Sequence, residues 1–173
     1  MNKKSLVVLI GKPGVGKTTL ARTAFPSWHF IDVKPFIEQY MINGRWPEKL
    51  TLEGYREMYD AIEQINSDLV LEIGTNHAEF NIVQLQRLKN NFNCLVVICL
   101  LDAKKNKQRY LDRMNRGEER AYDIAAFERR LELDFPLSHT PLLHRALLPY
   151  IKINMESDVS VLTQELIDQL SLV

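Results

Sequence analysis

Residues 11–18 read Gly-Lys-Pro-Gly-Val-Gly-Lys-Thr, a full match to G-x-x-x-x-G-K-[ST], the spacing of a loop that binds a nucleoside triphosphate. A triphosphate concentrates negative charge. Backbone N–H groups can surround it only where no bulky side chain obstructs their approach, hence Gly11, Gly14 and Gly16, with Lys12, Pro13 and Val15 between them. Lys17 supplies a positive charge for the β/γ-phosphate oxygens, Thr18 a hydroxyl for Mg²⁺, and Thr18-Thr19 open a helix whose positive end faces the phosphates. The flanks agree: the apolar run Leu6–Ile10 precedes the octet as a strand, and a helix from Lys17 runs on until Pro26 ends it.

A second cluster is cationic. Arg109, Arg113, Arg116 and Arg120 fall within a dozen residues, followed by Arg129 and Arg130. Spacings of four and three put Arg109, Arg113 and Arg116 on one face of a helix. Asp112, Glu118 and Glu119 are the bland partners for such a face, as ordinary surface pairs. Beside a phosphate loop the arginines have a second use, because phosphoryl transfer rests on positioning and on stabilising charge in the transition state. On that reading Arg113 and Arg116 join Lys17 as catalytic residues, on a mobile segment that excludes water when it closes.

The elements that must position these groups follow from hydropathy. Five apolar, β-favouring runs (residues 5–10, 28–31, 69–73, 95–101 and 150–153) alternate with helical patterns at 52–65, 78–89 and 159–170, with Thr51 a potential N-cap of the first. Such alternation predicts an α/β fold: a five-stranded parallel sheet with helices on both faces. Ligands bind there at the carboxyl ends of the strands, which directs attention to Asp32 after the second run and Glu72 within the third. Asp32, at a strand end, is read as facing a ligand or as a helix cap. Glu72 suits coordination of Mg²⁺ through water. His77, His139 and His144 lack metal-ligand spacing and read as surface or capping residues.

Composition narrows the partners. The 173 residues carry 22 basic and 22 acidic side chains, which gives no electrostatic reason to expect a long nucleic acid or an acidic membrane. The length fits one domain, 1–173. Cys94 and Cys99, in or beside an apolar run, read as buried thiols of a reducing, cytoplasmic compartment, and the N-terminal apolar run is too short to span a bilayer.

Over nearly its whole length the chain resembles the small P-loop kinases, the group that holds adenylate, shikimate and gluconate kinases. Arg109-Tyr-Leu-Asp-Arg113 resembles the R-x-x-x-R of adenylate kinases, Arg120-Ala-Tyr-Asp123 their R-x-D-D, Arg130-Leu131 the following R-L, and Thr140-Pro141-Leu142 a shortened T-x-P-L. The resemblance implies that Arg109 stacks on adenine and that Arg113, Arg120 and Arg130 contact phosphates from a short lid, about 113–122, and its following helix, Arg120 and Arg130 on the substrate side. His29–Glu38 is similar to the shikimate-kinase pattern D-x-D-x-x-I-E, and Gly54-Tyr55-Arg56 to its G-x-F-R. It implies a substrate-binding insertion at about 33–66, with Asp32 at the acceptor hydroxyl and Arg56 on a substrate carboxylate.

Two positions depart from that pattern: Lys34 replaces the second aspartate, and the stretch after the third strand is reduced to Glu72-Ile73-Gly74-Thr75. Lys34 is read either as binding an acceptor that carries its own negative charge or as a surface lysine. The resulting expectation is an ATP- and Mg²⁺-dependent phosphotransferase acting on a hydroxyl or phosphate of a small acceptor, as monomer or homodimer. Its alternatives are a nucleotide or polynucleotide-end kinase and a nucleotide-binding switch that hydrolyses ATP with no acceptor.

Overall fold

The computed structural model describes residues 3–43, 47–118 and 135–171. Five strands, β1 (Lys4–Ile10), β2 (His29–Asp32), β3 (Leu69–Ile73), β4 (Phe92–Leu100) and β5 (Tyr150–Asn154), form one sheet in the order β2-β3-β1-β4-β5. Every neighbouring pair is parallel. The central strand β1 is the reason the sequence reads as it does: Leu6 to Ile10 are all 0% exposed, because a parallel strand covered on both faces has no polar side to show.

Alternation along β1 sorts the core into two layers. Leu6, Val8 and Ile10 face one layer, with Tyr55, Met58, Ile62, Ile82, Leu85 and Leu143. Val7 and Leu9 face the other, with Val15, Leu20, Leu162 and Leu166. The helices are α1 (Lys17–Ala24), α2 (Lys34–Glu38), α3 (Glu48–Glu63), α4 (Ala78–Leu88), α5 (Ala103–Asn115), α6 (Phe135–Arg145) and α7 (Val159–Leu170). Helices α1 and α7 pack together on one side, and α4 against α6 on the other, the side that also holds α3, against which α2 packs. No helix among the described residues is long and apolar enough to cross a membrane.

Several local expectations shift. Helix α3 starts at Glu48 rather than after Thr51: extended Pro47 is its N-cap, and the Pro47 carbonyl accepts from Leu50 and Thr51 N–H. Thr51 instead lies inside the helix, its hydroxyl donating to the Glu48 carbonyl at 2.8 Å. Helix α6 had no sequence counterpart, and α2 was foreshadowed only by Asp32 as a potential cap. Helix α2 is short, with Pro35 in its first turn, where a missing N–H costs nothing. Helix α6 carries Pro141 inside it, and a proline there normally argues for a break. Its burial outweighs that signal, for Leu143 is 0% and His139 1% exposed. His139 is therefore a core residue, not a surface or capping one.

Cys94 and Cys99 are free and buried, and burial pushes both thiols up to about 12. They are inert core side chains.

Contact between α2 and α3 is close because Gly54 has no side chain. A Cβ there would lie 2.6 Å from the Phe36 carbonyl oxygen and 2.9 Å from its carbonyl carbon, and that backbone cannot yield cheaply. Gly54→Ala is expected to destabilise the fold by about 1–3 kcal/mol, the usual cost of overpacking, seen as a lower urea midpoint; an unchanged midpoint would show that α2 is not held against α3.

Candidate functional site

A cavity of about 1260 Å³ opens at the carboxyl ends of β1, β2 and β3. Its size exceeds the roughly 300–1,000 Å³ of a one-ligand pocket. The end formed by the residue 11–18 loop is a phosphate cradle in geometry as well as sequence. Gly14 has φ 81° and Gly16 φ 105°, left-handed values that turn the chain tightly enough to bring backbone N–H groups to a common centre. Gly16 is the N-cap of α1, so the helix delivers its unpaired N–H groups and positive dipole end to the same point.

Lys17 is only 6% exposed. Its Nζ donates to the carbonyls of Gly11 at 2.9 Å and Lys12 at 3.1 Å, and lies 3.6 Å from Glu72 Oε1. Thr18 Oγ1 donates to Glu72 Oε2 at 2.7 Å. The strand register brings these groups together: Leu9 of β1 is level with Glu72 of β3, and Glu72 is level with Asp32 of β2. A hydroxyl beside a carboxylate at the mouth of a phosphate loop is the hard oxygen donor set that Mg²⁺ takes when most of its remaining ligands are waters and phosphates. The residues present therefore fit a Mg²⁺-nucleotide. Among the described residues no group of three or more His, Cys, Asp or Glu could hold a metal alone.

Asp32 occupies the far end. Its Oδ1 accepts from Lys34 N–H at 2.9 Å, a turn just ahead of α2, whose N-cap is Val33 rather than Asp32, and it lines the cavity as well. Desolvation, and then the charge of Glu72, raise its carboxyl above the ordinary 3.8, against the Lys34 hydrogen bond and the charges of Lys17 and Lys34. A carboxylate whose affinity for a proton is raised in a cleft is suited to general-base work. Lys34 lines the cavity too, 3.9 Å from Glu38 Oε1.

The arginine face is also present. Arg109, Arg113 and Arg116 all border the cavity from α5 and the turn after it. Asp102 caps α5, accepting from Lys104 and Lys105 N–H. Arg109 donates to the Val15 carbonyl and to the Met155 carbonyl, each at 3.1 Å, and so ties the phosphate loop to the loop after β5. Arg116 makes a forked pair with Glu118 (2.6 and 3.0 Å), and Arg113 Nε stands 3.9 Å from the same carboxylate. Both pairs are exposed and contribute little to stability.

Arg56 is not brought in. Tyr55 is 1% exposed and lines the cavity, and the next residue on a helix points about 100° away. Arg56 accordingly lies on the outer face, half exposed, paired with Glu53 and 6.0 Å from the Phe80 ring centroid. In the Gly54-Tyr55-Arg56 motif the structural content sits in the glycine and the aromatic. Arg120 and Arg130, and the lid beyond Glu118, lie outside the described residues.

Thr51, Tyr55, Thr75 and Asn76 complete the Asp32 end. Thr51 Oγ1 lies 2.9 Å from His77 Nε2, and His77, left-handed at φ 54°, is the N-cap of α4. The helical pattern had marked Tyr55 only as apolar and Thr51 only as a cap. Their second role comes from α3 crossing the strand ends, which no local pattern records.

No protein-family model matches the sequence, and no curated protein matches it. Among solved structures the chain is similar to shikimate kinase from Bacteroides thetaiotaomicron (TM-score 0.65, 17% identity, covering 96% of this chain and 98% of that one). It is also similar to shikimate kinase from Acinetobacter baumannii in complex with shikimate (0.61, 21%, 96% and 93%), and to a gluconokinase from Sinorhizobium meliloti (0.67, 9%, 95% and 90%). The chain thus shares its fold with these shikimate kinase and gluconokinase structures, the architecture that the sequence resemblance implied.

The raised Asp32 carboxyl has a direct consequence for stability. A group whose folded-state value lies above its unfolded one favours folding in its protonated form, and that contribution is lost as pH rises through the folded value. Asp32→Asn keeps the acceptor for Lys34 N–H and removes the charge. It is expected to raise the melting temperature at pH 7 relative to wild type, with the advantage vanishing at acid pH; a variant less stable than wild type at pH 7 would count against the raised value.

Proposed function

We propose that this chain is an ATP-dependent phosphotransferase that moves the γ-phosphate of ATP to a hydroxyl or phosphate of a small-molecule acceptor. One observation carries the reading: a single cavity joins the phosphate cradle of Lys17, Thr18 and Glu72 to a desolvated carboxylate, Asp32, on an adjacent strand end. A switch that only hydrolyses nucleotide has no need of room for an acceptor, or of a base set aside for one.

In this reading Lys17 leaves the Gly11 and Lys12 carbonyls to neutralise the β/γ-phosphate oxygens. Thr18, and Glu72 through water, would hold Mg²⁺, which supplies charge neutralisation of the phosphates when bound. Asp32 takes the proton of the acceptor hydroxyl as that oxygen forms its bond to phosphorus and the bond to the β-γ bridging oxygen breaks. Arg113 and Arg116 turn from Glu118 toward the transferring group, where an excess of cations stabilises the transition state. Arg109 secures the base side of the nucleotide site. The segment 33–66 forms the acceptor wall and the residues near 113–122 the lid, all within one domain. Lys34 reads as the contact for an acidic group on the acceptor.

A panel of sugars, acids, nucleosides and oligonucleotides offered with γ-labelled ATP tests the proposal. A labelled small-molecule product is expected; hydrolysis without any labelled product would favour the switch. Lys17→Ala is expected to abolish turnover. Asp32→Ala should lower transfer about 10²–10⁴-fold, the usual weight of a general base, with ATP affinity nearly unchanged by calorimetry; lost ATP binding would make Asp32 structural instead.

A further inference from the structure

Behind the phosphate loop, on α5, Asn106 is 0% exposed, and neither the oxygen nor the nitrogen of its side-chain amide has a hydrogen-bond partner among the described residues. Its surroundings are otherwise settled. The Asn106 N–H donates to the Asp102 carbonyl at 2.8 Å, and Arg109, one turn on, is committed to the Val15 and Met155 carbonyls. The amide abuts the loop itself: a Cβ built on Gly14 would lie 3.0 Å from Asn106 Oδ1 and 3.7 Å from the Asn106 carbonyl oxygen. Gly14 thus gives Asn106 direct access to the loop's main chain.

A buried amide with its bonds unmade is costly, and a leucine, which branches at the same carbon, would avoid that cost. The loop has a complementary need. When its N–H groups turn inward on an anion, its carbonyls face the helix behind it, and Lys17 gives up the two carbonyls it now holds. We propose that Asn106 is a positioning residue of the nucleotide site, its side-chain amide bonding the main chain around Gly14 only when the loop holds phosphate. The bonds missing in the free protein are then recovered on binding. This inference rests on residues 11–18 being a triphosphate site.

The test compares wild type, Asn106→Leu and Asn106→Ala for melting temperature in the free state and for calorimetric affinity toward Mg·ATP and Mg·tripolyphosphate, which lacks a base. Asn106→Leu is expected to melt higher than wild type when free, yet to bind both ligands about tenfold more weakly. Asn106→Ala should show the same loss of affinity with no gain in stability, and it carries the binding test if the leucine variant does not fold. A leucine variant that melts lower while folding, affinity within twofold of wild type in both variants, or a loss confined to Mg·ATP would each overturn the inference. Wild type that binds neither ligand would instead overturn the triphosphate site itself, and this inference with it.

Discussion

The buried contact between Lys17 and Glu72 is the constraint around which the rest is arranged. An ammonium that is 6% exposed survives in such a place only with a nearby carboxylate and with oxygens for its remaining protons. Gly11, Lys12 and Glu72 provide them. Satisfying Lys17 therefore fixes the curl of the loop, and it demands that β3 lie directly beside β1. The same carboxylate takes the Thr18 hydroxyl and is level with Asp32 on the neighbouring strand, so one residue couples the loop, the helix and the Asp32 end. Glu72 in place of a shorter aspartate gives the reach for two contacts, one from each of its oxygens.

Much of this was legible in order along the chain. The octet, the five strands and the strand-end acids are local signals, and the parallel sheet follows from runs too apolar to have a wet face. The positions that misled were those whose meaning depends on a distant partner. Arg56 carries a motif letter, but its neighbour Tyr55 claims the inward direction and leaves it outside. Pro141 signals a break, yet sits in a helix held by burial. His139 has the look of a surface residue and is core. Asn106 offered no signal at all: only proximity to Gly14 gives its amide a meaning, and that proximity joins α5, which follows β4, to the loop after β1.

The arginine helix shows how one set of residues satisfies a bland and a functional reading together. Arg116 and Arg113 have an acidic partner in Glu118, as surface arginines usually do, and they also border the phosphate cavity. Exposed pairs are cheap to break. Such a partner holds the guanidinium groups near the cavity without committing them, whereas Arg109, bonded to two main-chain carbonyls, is part of the wall.

The strand order also makes the sheet a ruler. Asp32 and the phosphate loop end β2 and β1, and β3 alone lies between them. Neighbouring strands stand about 4.8 Å apart, so main-chain hydrogen bonds hold the backbone of Asp32 about 10 Å from the end of β1. For a transfer of the kind proposed, that backbone spacing would gauge an acceptor by length, since it would have to reach from β2 to the loop's edge whatever its chemistry.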